Sequence, residues 1–88
     1  MMKFFLGEKK YVNFSVISAK EEQVVISKAT YVLKKNDVVE DSGNCTIQNN
    51  VLSVLLEPAE AGQYVLNVTY SIPPETRIVT EEIDVNQV

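Results

Sequence analysis

The sequence predicts one all-β domain, an antiparallel β-sandwich of about seven strands that contains no disulfide. Short segments that alternate apolar and polar residues recur along the chain, and turn residues separate them at intervals of about 8–12 residues. No segment has the apolar period of a helix. The single cysteine, Cys45, has no partner for an intrachain disulfide, and we interpret it as a small apolar side chain in a strand.

Length and composition point to a single folded domain. The chain has 88 residues, enough for one hydrophobic core but too few for two domains. Hydrophobic residues make up 45% of it, which is typical of a folded globule and not of a disordered segment. Residues 9–88 are therefore assigned to the sandwich. Residues 1–8 are assigned to an N-terminal apolar tail, because five of the six residues from Met1 to Leu6 are apolar.

The first half of the chain contains a predicted first strand and a second apolar stretch that alternates. Alternation over residues 11–18 predicts the first strand. The charged residues 18–23 predict an exposed connection, which could also hold one helical turn. Apolar residues resume at 24–26, but the alternation shifts by one residue at Ser27–Lys28, which indicates a bulge or two short pieces. The residues expected to face the core are Val12, Phe14, Val16, Tyr31 and Leu33.

Two hairpins are predicted in the middle of the chain. Residues 38–40 form a short strand between turns at Asn36–Asp37 and at residues 41–44, because these residue types favour turn geometry. Residues 45–48 and 51–56 flank Asn49–Asn50, which we predict to form a type I′ turn. Leu52, Val54 and Leu56 would then share one buried face.

A proline-to-glycine corner enters the most regular strand. Pro58 ends the preceding strand because proline lacks a main-chain donor, and Gly62 leads into five apolar residues at period two from Tyr64 to Ile72. We predict that Tyr64 is buried and that its hydroxyl bonds back to the corner backbone. Pro58, Gly62 and Tyr64 are thus assigned a structural role. Residues 77–85 form the closing strand.

The charge pattern argues against nucleic-acid binding. The net charge at pH 7 is −4, which repels a phosphate backbone. The lysine doublets Lys9–Lys10 and Lys34–Lys35 do not form one basic cluster in the sequence. We therefore expect no nucleic-acid partner.

The chain has no recognisable constellation of catalytic or metal-binding residues. It contains no histidine, which removes the Ser–His–Asp triad and most transition-metal sites. Glu57 and Glu60 flank a proline turn, and Asp37, Glu40 and Asp41 lack EF-hand spacing. We interpret both groups as solvated turns instead of an acid–base pair or a calcium site. The sequence predicts a non-enzymatic protein without a metal or cofactor.

Neither an export signal nor a membrane span is predicted. The apolar run from Phe4 to Leu6 is too short for either. A signal peptide needs about 7 apolar residues in a row, and a membrane span needs about 18. We expect synthesis in the cytoplasm and no membrane partner. The apolar residues near the N-terminus are instead candidates for a protein contact, namely Phe4, Phe5, Leu6 and Tyr11.

Two parts of the sequence resemble known families. The run from Gly62 to Leu66 resembles the tyrosine-containing corner of immunoglobulin-like domains, although Leu66 occupies a position that is cysteine in disulfide-containing members. Residues 9–85 resemble short immunoglobulin-like proteins encoded among the structural genes of tailed phages and prophages. The matching motifs are Val12-x-Phe14-x-Val16, Ala29 to Lys34, Asp41-Ser42-Gly43 and Leu56 to Tyr70.

The resemblance implies an immunoglobulin-like sandwich that serves as a structural or assembly module. Such a protein would be made in the bacterial cytoplasm, become associated with a virion or tail, and act through protein–protein contacts. Its partners would be other structural proteins or copies of itself in a homo-oligomer. The alternative is a secreted or surface-displayed domain that binds glycans or host proteins.

Overall fold

A computed structural model describes residues 1–16 and 25–88 and confirms the all-β sandwich without a disulfide. The predicted connection at residues 18–23 lies outside the described residues. The described part of the chain contains eight strands and no helix. The strands are β1 (Met2–Phe5), β2 (Lys10–Ser15), β3 (Lys28–Lys35), β4 (Val38–Asn44), β5 (Thr46–Gln48), β6 (Val51–Leu56), β7 (Gly62–Ile72) and β8 (Glu75–Asn86).

The strands form two sheets with an immunoglobulin-like order. One sheet has five strands in the order β1-β8-β7-β3-β4, and the other has three in the order β2-β6-β5. Every neighbouring pair runs antiparallel except β1 and β8, which are parallel. The orders β8-β7-β3 and β2-β6-β5 match the G-F-C and B-E-D orders of an immunoglobulin sandwich. The first sheet is extended by β1 beside β8 and by β4 beside β3.

The core lies between the sheets and is apolar among the described residues. No polar or charged residue of the described chain is buried. The predicted alternation in β6 and β7 is confirmed, while Phe14 and Tyr31 are only partly buried against the core. The buried apolar residues are Phe4, Val12, Val16, Ala29, Leu33, Cys45, Leu52, Val54, Leu56, Tyr64, Leu66, Val68, Tyr70, Ile83 and Val85.

The N-terminal segment belongs to the sheet, which corrects the assignment of residues 1–8 to a tail. Met2–Phe5 forms β1 and pairs in parallel with the end of β8, from Ile83 to Asn86. Phe4 is only 1% exposed and lies in the core. The period-two placement of Met2 and Phe4 towards the core was missed because the run is short and almost wholly apolar, so it shows no alternation.

The left-handed hairpin turn lies at Asn36–Asp37 and not at Asn49–Asn50. Asn36 and Asp37 have φ angles of 52° and 63°, and they connect the paired residues Lys35 and Val38. At the other hairpin only Asn49, with φ 55°, is left-handed. Because a type I′ turn needs positive φ at both central residues, the type I′ prediction for Asn49–Asn50 was wrong.

The segment predicted as a turn at residues 41–44 is part of β4. The register with β3 shifts between Leu33 and Lys34, which pair with Asp41 and Val39 and leave Glu40 as an extra residue in a bulge. Gly43 lies under the ring of Tyr31, where an added Cβ would stand 3.3 Å from a ring carbon. The glycine therefore permits a close packing contact inside a strand.

Candidate interaction surface

The residues predicted to contact a partner fall in different environments. Phe5 is 56% exposed and Tyr11 is 61% exposed, whereas Leu6 is partly buried against the core. Phe4 is buried, so its predicted place on a contact surface is wrong. Phe5 lies on the outer side of β1 and Tyr11 on the outer side of β2, and these strands belong to different sheets.

The tyrosine corner has the predicted geometry. Tyr64 is 2% exposed, and its hydroxyl donates to the carbonyl oxygen of Glu60 at 2.8 Å and accepts from the Glu60 N–H at 3.3 Å. Pro58 is buried, and Gly62 has a φ of 138°, which an L side chain rarely adopts. These contacts support the structural role assigned to the corner.

A lysine from β3 closes the same corner. Lys35 Nζ bonds to Glu60 Oε2 at 2.7 Å and stands 5.9 Å from the centre of the Tyr64 ring. A Cβ at Gly62 would come within 3.0 Å of Lys35 Cε. The hydrogen bond from Lys35 lowers the pKa of Glu60 and raises the pKa of Lys35. The polar groups of Lys35, Glu60 and Tyr64 at the corner thus bond to one another.

Strand edges are the other places where this fold can make contacts, and most of the β1 edge is capped. Leu6 N–H donates to Asn86 O, so by alternation Lys3 and Phe5 direct their main-chain groups away from β8. The Lys3 carbonyl accepts from Lys10 Nζ at 3.0 Å, and the Phe5 N–H donates to Glu8 Oε1. The Phe5 carbonyl accepts from the Glu8 N–H at 3.0 Å. An added strand would have to displace this cap.

The edges at β4 and β5 are protected in other ways. β4 carries the bulge at Glu40 and the charge of Asp41, whose Oδ2 accepts from the Tyr31 hydroxyl at 3.0 Å. β5 contains only three residues. Bulges, edge charges and very short strands all discourage a further strand from pairing.

The β2 edge has none of these protections within the described chain. β2 has six residues, pairs with β6 in an uninterrupted register from Lys10 to Ser15, and contains no proline or bulge. Its only charge is on Lys10, at its first position. Among residues 1–16 and 25–88, only β6 pairs with it. β2 is therefore the edge that is most open to a partner strand.

An uncharged outer face adjoins the β2 edge. Tyr11 lies directly opposite Leu55 of β6, which is 39% exposed, and this pair forms the apolar part of the face. Asn13 lies opposite Ser53, whose hydroxyl donates to Asn13 Oδ1 at 2.7 Å. The face consists of Tyr11, Asn13, Ser15, Val51, Ser53, Leu55, Thr46 and Gln48, as the strand registers show.

The opposite sheet has a shallow concavity of about 340 Å³ on its outer side. Val65 lies between Lys34 and Glu82 in one row across three strands, since each is its register partner. The amide side chains of Gln63 and Asn67 also line the site, and Asn67 Oδ1 accepts from the Thr80 hydroxyl at 2.9 Å. These groups could hydrogen-bond a small polar ligand.

Among the described residues, the other reactive groups do not converge on one site. Within the described residues, no three His, Cys, Asp or Glu side chains stand close enough to hold a metal ion. Cys45 is buried, and burial raises the pKa of its thiol. Because the thiolate is the reactive form, Cys45 is poorly placed for nucleophilic chemistry.

Comparisons with known proteins add no further assignment. No family model, curated protein or solved structure matches the chain. Among the described residues, no helix is long and apolar enough to cross a membrane.

Proposed function

We propose that this protein is a non-enzymatic assembly module that binds protein partners through the β2 edge and its adjoining outer face. The observation that carries the proposal is the contrast among the four edges of the described sheets. The β1, β4 and β5 edges are capped, bulged or very short, whereas β2 offers an unbroken and nearly uncharged strand.

The mechanism is the addition of a partner strand to the three-stranded sheet. Main-chain hydrogen bonds to β2 would supply affinity, and the side chains that project from the face would supply specificity. Tyr11 and Leu55 form the apolar centre, and tyrosine is among the residues that often dominate binding energy. Absence of charge at the centre also fits an interface, because charged residues are depleted there.

The resemblance to short immunoglobulin-like phage proteins supports a virion or tail as the setting. A module made in the bacterial cytoplasm would then join a particle through its structural proteins. Portal, capsid or tail genes beside this gene would agree with that setting. Export or surface-anchor genes in that position would contradict it.

Photo-crosslinking tests the proposed surface directly. A photoreactive phenylalanine analogue replaces Tyr11 in cells that naturally make the protein, and adducts are identified by mass spectrometry. The matched control places the same group at Ile78, which is exposed on the outer face of the other sheet. We expect discrete protein adducts from position 11 and few from position 78.

The adducts also report which part of the proposal fails. Reproducible adducts with a structural protein support assembly, and their loss in Asn13→Pro shows that the main chain of β2 takes part. Equal labelling from both positions, or no protein adduct at position 11, overturns the proposed surface.

A second candidate function is ligand binding at the concavity on the five-stranded sheet, as expected of a surface-displayed glycan-binding domain. Lys34, Gln63, Asn67 and Glu82 supply donors and acceptors suited to sugar hydroxyls. Oligosaccharides titrated into isotope-labelled protein would then shift the NMR signals of the Gln63 and Asn67 amides. Gln63→Ala should weaken those shifts, and unchanged spectra across a panel of neutral and acidic sugars would reject this candidate.

A further inference from the structure

We infer that the strand which adds to β2 is the β2 strand of a second copy of this chain, paired antiparallel about a twofold axis at Asn13. This inference rests on the proposed function, because it names the partner of the same edge. It would extend the three-stranded sheet into a six-stranded sheet across two molecules.

The direction of the main-chain groups identifies the available residues. The Val16 N–H donates to the Asn50 carbonyl at 2.8 Å, on the β6 side. Main-chain groups alternate between the two sides of a strand, so Val12 and Phe14 also face β6. Tyr11, Asn13 and Ser15 therefore direct their N–H and C=O groups to the free edge. No hydrogen bond among the described residues occupies those main-chain groups.

The twofold axis is placed at Asn13 because only this register pairs every free main-chain group of Tyr11, Asn13 and Ser15 with the other copy. With Asn13 opposite itself, Tyr11 of each copy lies opposite Ser15 of the other. This register allows about six inter-strand hydrogen bonds, two for each facing pair. A shift by two residues in either direction leaves some of the groups unpaired or brings Lys9 into the ladder. Asn13 is thus the centre that the uncharged stretch favours.

Side chains and charge are compatible with a second copy. Phe14 is only partly buried in one molecule, and in this register it would lie beside Val12 of the other copy on the core side. The two Lys10 residues would stand six positions apart along the strands, about 20 Å. That separation exceeds the Debye length of about 8–10 Å, so they repel only weakly. Because the same strand serves both sides, the contact closes as a dimer.

Molar mass and hydrogen exchange test the inference on the full chain. An edge contact is smaller than a standard interface, so we expect a weak dimer whose fraction rises between about 10 µM and 1 mM in light scattering or sedimentation. Amide exchange should be slow for Val12 and Phe14 at every concentration. Exchange of Tyr11, Asn13 and Ser15 should slow only as the dimer forms.

A proline variant separates the edge from the fold. Asn13→Pro removes an N–H that faces the free edge and not β6, so the ladder within the molecule keeps its hydrogen bonds. Asn13→Ala is the matched control, because both variants lose the hydrogen bond from Ser53 and only the proline variant loses the main-chain donor. We expect Asn13→Pro to weaken dimerisation by about tenfold or more and Asn13→Ala to weaken it far less. Circular dichroism checks that both are folded.

The outcomes distinguish this inference from the proposed function. A monomer at 1 mM with fast exchange at Tyr11, Asn13 and Ser15 overturns self-pairing. So does a dimer that is equally stable in Asn13→Pro and Asn13→Ala. If Asn13→Pro does not fold, the concentration dependence of the wild-type exchange pattern still decides. Self-pairing would fail alone if crosslinks from position 11 reached only a different protein, and the proposed function would then stand.

Discussion

The edges of β1 and β2 differ although the two strands are consecutive in the chain. Both lie at the end of a sheet and both present alternate main-chain groups outward. At β1, Glu8 of the following loop and Lys10 at the start of β2 occupy the Lys3 carbonyl and both main-chain groups of Phe5. Lys10 Nζ also stands 4.4 Å from the centre of the Phe4 ring. At β2 the described chain supplies no such cap. The comparison indicates that closure of an edge depends on local polar residues and is not a general property of a sandwich.

The largest expected effect comes from removing the buried side chain of Phe4, which holds β1 against the core. Phe4→Ala should lower the free energy of unfolding by about 3–5 kcal/mol, because it deletes a buried aromatic ring and leaves a cavity. Urea denaturation measures the change. Phe5→Ala is the control and should stay within about 0.5 kcal/mol, since Phe5 projects outward. Equal effects of the two variants would contradict the description of β1 as a core strand.

The next test compares the buried hydroxyl of Tyr64 in the corner with the exposed hydroxyl of Tyr11 on β2. Tyr64→Phe should lower the free energy of unfolding by about 1 kcal/mol, because the Glu60 carbonyl loses its donor. Tyr11→Phe removes a hydroxyl that makes no hydrogen bond within the described chain, and it should leave stability nearly unchanged. Thermal or urea denaturation compares the two variants, and a neutral Tyr64→Phe would show that the corner bond adds no stability.

Loss of the β1 cap should have a smaller effect. Lys10→Gln should cost about 0.5–1 kcal/mol, because the variant loses the contact with the Phe4 ring and weakens the bond to the Lys3 carbonyl. Lys9→Gln is the control, since Lys9 is exposed. Hydrogen exchange should also become faster at Phe5 in Lys10→Gln, because Lys10 pairs with Glu8 at 3.7 Å and the Glu8 carboxylate accepts from the Phe5 N–H. Unchanged exchange there would mean that Lys10 does not help to close the edge.

The smallest expected effect is a pH dependence at the corner. The pKa of Glu60 lies below its ordinary value of 4.5 because Lys35 donates a hydrogen bond to it. The ionised pair therefore stabilises the fold above about pH 4.5 and is lost as the pH falls through the lower folded pKa. Lys35→Gln should be slightly less stable at pH 6, and the difference from wild type should narrow as the pH falls below 4.5. Both residues reach solvent, so the difference should also shrink in high salt. If the stability difference between wild type and Lys35→Gln stayed constant from pH 6 to pH 3, the loss would come from packing and not from the ion pair.

Local patterns predicted the strands whose two faces differ. The alternation from Tyr64 to Tyr70 and from Val51 to Leu56 identified the buried residues correctly, because one face of each strand packs in the core and the other does not. Ile72, at the end of the same alternation, is only partly buried. The tyrosine corner was also predictable, since its hydrogen bond spans only four residues. Both features depend on neighbours in the sequence.

Features that depend on distant partners were predicted poorly. Residues 1–8 were assigned to a tail because their apolar run lacks alternation, and only pairing with residues 83–86 makes Met2–Phe5 a strand. Turn residues at 41–44 suggested a loop, but pairing with β3 and packing of Tyr31 over Gly43 keep the segment extended. In both cases a non-local contact overrides a weak local preference.

The sequence by itself determined an all-β sandwich, its apolar core and its tyrosine corner, because period-two burial and short-range hydrogen bonds are encoded by adjacent residues. Only the tertiary structure decided which strands are edges, since an edge is defined by the strand that is missing beside it. It also decided that Phe4 is buried while Phe5 and Tyr11 are exposed. The candidate surface at β2 thus comes from sheet order, which local periodicity does not contain.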